Sequence, residues 1–302
     1  MNGNSKRLIA SVAALEILLY HCWIPVFRYG TIFGSVERFL IASTYSGVDI
    51  FFFLSAYSLV SRPVEDYRGF LRNRVLKILP LFFIAWAAGQ FLWFLPSIMV
   101  LYLLLPPLYP VCRKKPVLSL CLLHIVWAGI VYLFLGVIKP KQDLGIFLFR
   151  IPAILLGAYT AGWQNWSGSR RSLPVGILLL AVGTFLVYRY GYIHRLNVPF
   201  RGIFYLTGIP VMLGTVLILN RLAAHCGSRV ISYFGSITLE LYFTQMVFGT
   251  HFVNLFFRLT GLKLATNLLA MTAIIIVSVP IRFLNDRFQR LFSRGGILSR
   301  LL

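Results

Sequence analysis

Acidic residues are scarce in this chain: 8 Asp and Glu stand against 29 Lys and Arg in 302 residues. All charged residues together make up 12% of it, whereas a soluble domain carries about a quarter. That shortage excludes an ordinary water-facing surface. Cysteine is also sparse. Cys22, Cys112, Cys121 and Cys226 form no C-x-x-C, and His124 is the only histidine close to Cys121. The sequence therefore offers neither a zinc site nor a disulfide framework, and no metal is called for. Internal repeats and low-complexity tails are missing. The first apolar stretch, Leu8 to Val26, has no small-residue cleavage site after it and reads as a retained span, not a signal peptide.

Apolar residues are what the chain has in excess, 59% of the total. A helical span needs about 20 of them in a row. Runs broken by charge, Gly or Pro give ten candidates: 8–27, 46–61, 78–95, 97–112, 117–138, 144–163, 173–190, 202–220, 236–257 and 264–284. The fold class expected is all-α, a polytopic transmembrane bundle of about ten spans forming one integral-membrane domain over 1–302. The aromatic residues, 16% of the chain, fit interfacial belts and packing.

A formal charge of +21 would suggest nucleic acid for a soluble protein. Here the basic residues sit between apolar runs, so they report topology, and no nucleic-acid partner is expected. With the N-terminus in the cytoplasm, 19 of the 29 fall on the inside and 9 on the outside. The bias predicts both termini inside. Within "RPVEDYRGFLRNRVLKILP", Arg72, Arg74 and Lys77 cluster just before an apolar helix. Such a cluster suits anionic lipid headgroups or the phosphates of a nucleotide cofactor.

Ionisable groups inside spans are costly and are functional candidates by default. They are Glu16 and His21 in span one, Asp49 in span two, His124 in span five, Arg150 in span six and Glu240 in span nine. Glu16 and His21 are five residues apart and so stand well apart around a helix. Asp49 and His21 both lie towards the outer ends of their spans, joined by the hairpin 28–45. A hydrogen bond from a His21 ring nitrogen to Asp49 would fix the tautomer and make the other nitrogen a better base. The alternative is a buried aspartate paired for packing. His124 reads as an interhelical hydrogen-bonding residue, and Arg150 as one that snorkels to the interface.

Four blocks resemble the membrane-bound acyltransferase-3 family, bacterial proteins that O-acylate extracytoplasmic glycans. They are "RLIASVAALEILLYH", "GVDIFFFLSAYSL", "YRGFLRNRVLKILPLFF" and "SYFGSITLELYFTQMVF", in family order and spanning nearly the whole chain. The resemblance implies a multi-pass protein of the bacterial inner membrane. It would move an acyl group, acetyl being the expectation, from cytoplasmic acyl-CoA to a hydroxyl of a cell-surface or lipid-linked sugar. It implies that His21 and Asp49 belong to the transfer site, with His21 as general base or as covalent relay. Arg72, Arg74 and Lys77 would anchor the phosphates of the donor. Arg7, Ser55, Glu240 and Tyr242 are supporting candidates. The chain departs from the family pattern in places. Arg7 lies about a turn farther from His21 than is usual, Ala56 replaces a Gly, Lys77 an Arg, and Gln245 stands where His is frequent. The rival class is a transporter or flippase of a glycan or lipid-linked precursor, using the same charges to line a path.

Overall fold

The computed structural model describes residues 1–61, 64–90, 92–134, 142–162, 171–189, 206–223 and 233–293. Cys226, the loop residues Arg62, Arg170, Arg195 and Arg229, and the first residues of the span expected at 202–220 lie outside the described residues. Among the described residues the chain is all-helical, with eleven helices and no strand. They are α1 Gly3–Cys22, α2 Ile32–Ser43, α3 Ser46–Val60, α4 Tyr67–Ala87, α5 Phe94–Lys114, α6 Pro116–Leu133, α7 Gln142–Gly162, α8 Ser172–Leu186, α9 Gly208–Leu222, α10 Thr238–Thr260 and α11 Lys263–Ser293.

Two elements differ from expectation. The hairpin 28–45 contains a helix, α2, whose N-cap Thr31 accepts a hydrogen bond from the Gly34 amide at 3.1 Å. Glu37 and Arg38 interrupt its apolar run, which hides it from a span search. The basic stretch before span three is also helical. Asp66 caps it, its Oδ1 accepting from the Gly69 amide at 2.9 Å, so α4 starts at Tyr67 and not at 78. Capping by Asp at this position satisfies one of the orphan amides of the first turn.

Among the described residues, four stretches are long and apolar enough to cross a membrane: Ile32–Val60, Gly145–Gly162, Ser172–Arg189 and Lys263–Arg290. Phe94–Pro107, Val117–Leu133 and Gly208–Leu222 are shorter apolar helices. Burial divides the helices physically. α3 is apolar on nearly every side and 12 of its residues are buried, as befits the centre of a bundle. α6 is equally apolar yet exposes Val117, Leu118, Leu122, Ile125, Val126 and Leu133. So wide an exposed apolar face needs a non-aqueous solvent, and lipid supplies it. Pro80 and Pro152 sit inside helices α4 and α7, a placement membrane helices tolerate because neighbours re-satisfy the freed carbonyls.

Central α3 packs against α1, α5, α7 and α9; α8 pairs with α9, and α10 with α11. α1 and α10 run parallel. A Cβ on Gly235 would lie 2.3 Å from the Arg7 carbonyl oxygen, and one on Gly249 would lie 3.0 Å from the Cys22 sulfur. α10 ends at Gly261 in the left-handed conformation, φ 65°, and α11 turns back along it. Glu240 near the start of α10 meets Asn285 near the end of α11. The described start and end of the chain therefore lie at the same end of the bundle.

Candidate active site

A cavity opens at that end, in two adjoining chambers that share Phe51, Ser55, Arg74, Tyr102 and Thr238 as walls. The outer chamber, about 510 Å³, is also lined by Lys6, Arg7, Ser58, Glu65 and Asp66. The inner chamber, about 140 Å³, reaches Ile17, Lys77, Phe94, Ile98 and Tyr242. Four cations thus face one cavity: Lys6, Arg7, Arg74 and Lys77.

The α4 helix decides which basic residues take part. Arg74 and Lys77 are three apart and share a face; Arg72 lies two residues from Arg74, nearly on the opposite side. Arg72 lines neither chamber. Of the expected trio, Arg74 and Lys77 face the cavity, together with Lys6 and Arg7 of α1. Arg74 is held between rings, 5.2 Å from the Phe70 centroid and 5.1 Å from that of Tyr102. Cation–π contacts of this kind fix the guanidinium without neutralising it. Tyr102 in turn hydrogen-bonds the Ser55 side chain, linking α3, α4 and α5 around the cavity. Lys6 lies 5.0 Å over the Tyr57 ring.

Glu240 is buried and does not face the cavity. Its Oε1 accepts from Asn285 Nδ2 at 3.1 Å, and the same nitrogen reaches the Lys77 carbonyl at 3.3 Å. Asn285 therefore ties α10 and α11 to the turn of α4 that carries Lys77. Tyr242 does line the inner chamber, its ring 5.1 Å from Phe94. Sequence reading singled out neither Asn285, Tyr102, Phe70 nor Lys6. A pattern of periodic faces gives no sign of which helix an amide on α11 will meet.

His21 stands in the last turn of α1, exposed, with its ring edge-on to Tyr20 at 5.2 Å. Ile17, one turn earlier on the same face, is a wall of the inner chamber. The residues after His21 are clamped from two sides. Asn267 on α11 accepts from the Ile24 amide at 2.9 Å and donates to its carbonyl at 2.8 Å. Glu37 on α2 accepts from Trp23 Nε1 and the Val26 amide, each at 2.8 Å, and from the Phe27 amide at 2.9 Å. The unexpected helix α2 thus supplies an anchor for the loop that follows His21.

The expected Asp49–His21 hydrogen bond is not formed. Asp49 Oδ2 pairs with Arg150 on α7, and its Oδ1 has no hydrogen-bond partner among the described residues. Both side chains are buried, and Asp49 lines neither chamber. The reason is the start of α3. Gly47 lies against Ala13 and Ile17, and Ser46 Oγ donates to Glu16 Oε2 at 3.1 Å. α3 then runs back along α1, so Asp49 is carried away from His21 by further residues of rise. Val48, Phe51 and Ser55 form the cavity face of α3, and Asp49 points to α7. Arg150 does not snorkel to an interface either; it also lies 5.4 Å over the Tyr45 ring.

These features define a polytopic helical membrane protein with a basic cavity at one end of the bundle and a histidine beyond its inner wall. The chain belongs to the acyltransferase-3 family: a family model described as an acyltransferase domain matches residues 11–92 and 90–284. It is thus an acyltransferase of the membrane. No curated protein and no solved structure matches it.

Proposed function

We propose that the protein transfers an acyl group, most simply acetyl, from cytoplasmic acyl-CoA to a hydroxyl of a cell-surface or lipid-linked glycan at the bacterial inner membrane. The observation that carries this reading is the cavity itself. Four cations converge at the end of the bundle that the basic bias predicts to be cytoplasmic. A multiply phosphorylated donor matches them, and Arg is suited to bidentate phosphate contacts. Ile17 and His21 then continue the cavity face of α1 towards the other end. From Lys6 to His21 the helix rises about 22 Å at 1.5 Å per residue, so a thioester on a long flexible arm would travel inward while its phosphates stay with Arg74 and Lys77.

His21 acts in this reading as the general base that takes the proton from the acceptor hydroxyl. Its exposure admits an acceptor from the far side, and the clamps of Asn267 and Glu37 on the following loop hold its turn in place. Asp49 serves by holding α3 against α7, which sets the Phe51–Ser55 wall. The test is turnover of acetyl-CoA by the purified full chain, with mass analysis of surface glycans from cells with and without it. Wild-type protein should consume donor and acetylate a glycan, and His21→Ala should do neither while still inserting. Glycan export without donor turnover would establish the transporter reading instead.

A further inference from the structure

Gln245 is a buried amide whose Nε2 has no hydrogen-bond partner among the described residues. Such groups are expensive in an apolar interior, and a bound ligand is one way of satisfying them. On α10, Thr238 and Tyr242 line the inner chamber. Gln245 follows Tyr242 by three residues and precedes Gly249 by four, so all four share one face. Gly235 lies against Arg7 and Gly249 against Cys22 along the parallel α1. That register places Gln245 level with Ile17 and Leu18, just short of His21. Two stripes therefore leave the chamber together: Ile17 to His21 on α1, and Tyr242 to Gln245 on α10.

We propose that the Gln245 amide is a catalytic residue that donates to the acyl carbonyl oxygen during transfer; this rests on the acyltransferase reading above. The acceptor hydroxyl oxygen bonds to the thioester carbon as His21 takes its proton. The carbonyl π pair moves onto oxygen, and Gln245 Nε2–H stabilises that oxyanion. Collapse re-forms the carbonyl and breaks the C–S bond, and the departing thiolate recovers the proton from His21. The products are the ester and free CoA. A donor aimed at charge that develops only in the transition state raises turnover more than binding.

The test uses Gln245→Met, Gln245→Leu and His21→Ala in the purified full chain, with acetyl-CoA as donor. Gln245→Met removes an unsatisfied amide, so its melting temperature should equal or exceed that of wild type. Its kcat should nevertheless fall about 10²–10³-fold, the loss seen for one oxyanion donor, with KM for acetyl-CoA unchanged. Gln245→Leu is of similar size and has no donor in any protonation state, and should lose turnover likewise. Wild-type kcat in Gln245→Met, with none in His21→Ala, overturns the role of the amide alone. Turnover losses that follow lowered melting temperatures in both variants overturn it too, because packing then carries the effect. Wild-type turnover in His21→Ala overturns the underlying reading and the inference with it.

Discussion

Asp49 on α3 and Arg150 on α7 form a buried ion pair between residues 101 positions apart in the chain. Each charge is sealed from water by the same packing that brings them together, so neither is tolerable alone. Removing one partner should cost about 3–5 kcal/mol, because the other is left buried and uncompensated. Asp49→Leu with Arg150→Met should be less destabilised than either single variant. Thermal unfolding of the four proteins in detergent measures this. Single losses that simply add would mean that the two charges do not depend on each other.

The division within the basic stretch of α4 is equally open to measurement. Arg74 lines both chambers and Arg72 neither. Arg74→Ala should weaken acyl-CoA binding by about 1.5–3 kcal/mol, the scale of a hydrogen bond to a charged group. Arg72→Ala should leave the affinity as it is. Titration of acyl-CoA into the purified variants gives both numbers. Equal effects of the two would show that the cluster acts as a diffuse basic surface and not through the cavity.

Much of the scaffold was legible in the sequence because membrane helices are written as apolar runs. The sites where reading stopped have physical reasons. α2 is not marked as a span because Glu37 and Arg38 split its apolar run, although Thr31 is a good N-cap residue. The sequence admits an Asp49–His21 pair beside a packing role for Asp49, because both residues lie near the ends of adjacent spans. What decided otherwise was the axial register of α3 on α1, set by Gly47 meeting Ala13 and Ile17, and register between helices leaves little trace in either sequence alone. The pair Arg74 and Lys77 could be separated from Arg72 by helical phase, once the stretch is known to be helix. In the sequence Gln245 stands out only as a departure from the family pattern; the burial of its amide depends on how α10 packs.

Glu37 offers a test of the loop clamp. Its carboxylate takes three hydrogen bonds, from Trp23, Val26 and Phe27. Glu37→Gln keeps one acceptor oxygen and loses the charge that strengthens all three. Hydrogen exchange at the Val26 and Phe27 amides should quicken, and turnover should fall while acyl-CoA affinity holds, since the basic cavity is at the other end of α1. Unchanged exchange at both amides would show that Asn267 alone secures this loop.

The last expectation concerns orientation, on which the donor side depends. The described start and end of the chain share one end of the bundle with the basic cavity, and the basic bias predicts that this end is cytoplasmic. A cysteine reporter is needed on each side. Gly69 is a poor place for one, since a Cβ there would lie 2.1 Å from Asp66 Oδ2 and disturb the α4 cap. Arg68 beside it is exposed, and Tyr29 is 73% exposed in the loop after α1. In a chain whose own cysteines are replaced by serine, a membrane-impermeant thiol reagent should label Tyr29→Cys in intact cells. Arg68→Cys should react only after permeabilisation. The reverse pattern would turn the cavity outward, away from any cytoplasmic thioester, and the proposed direction of transfer would fail with it.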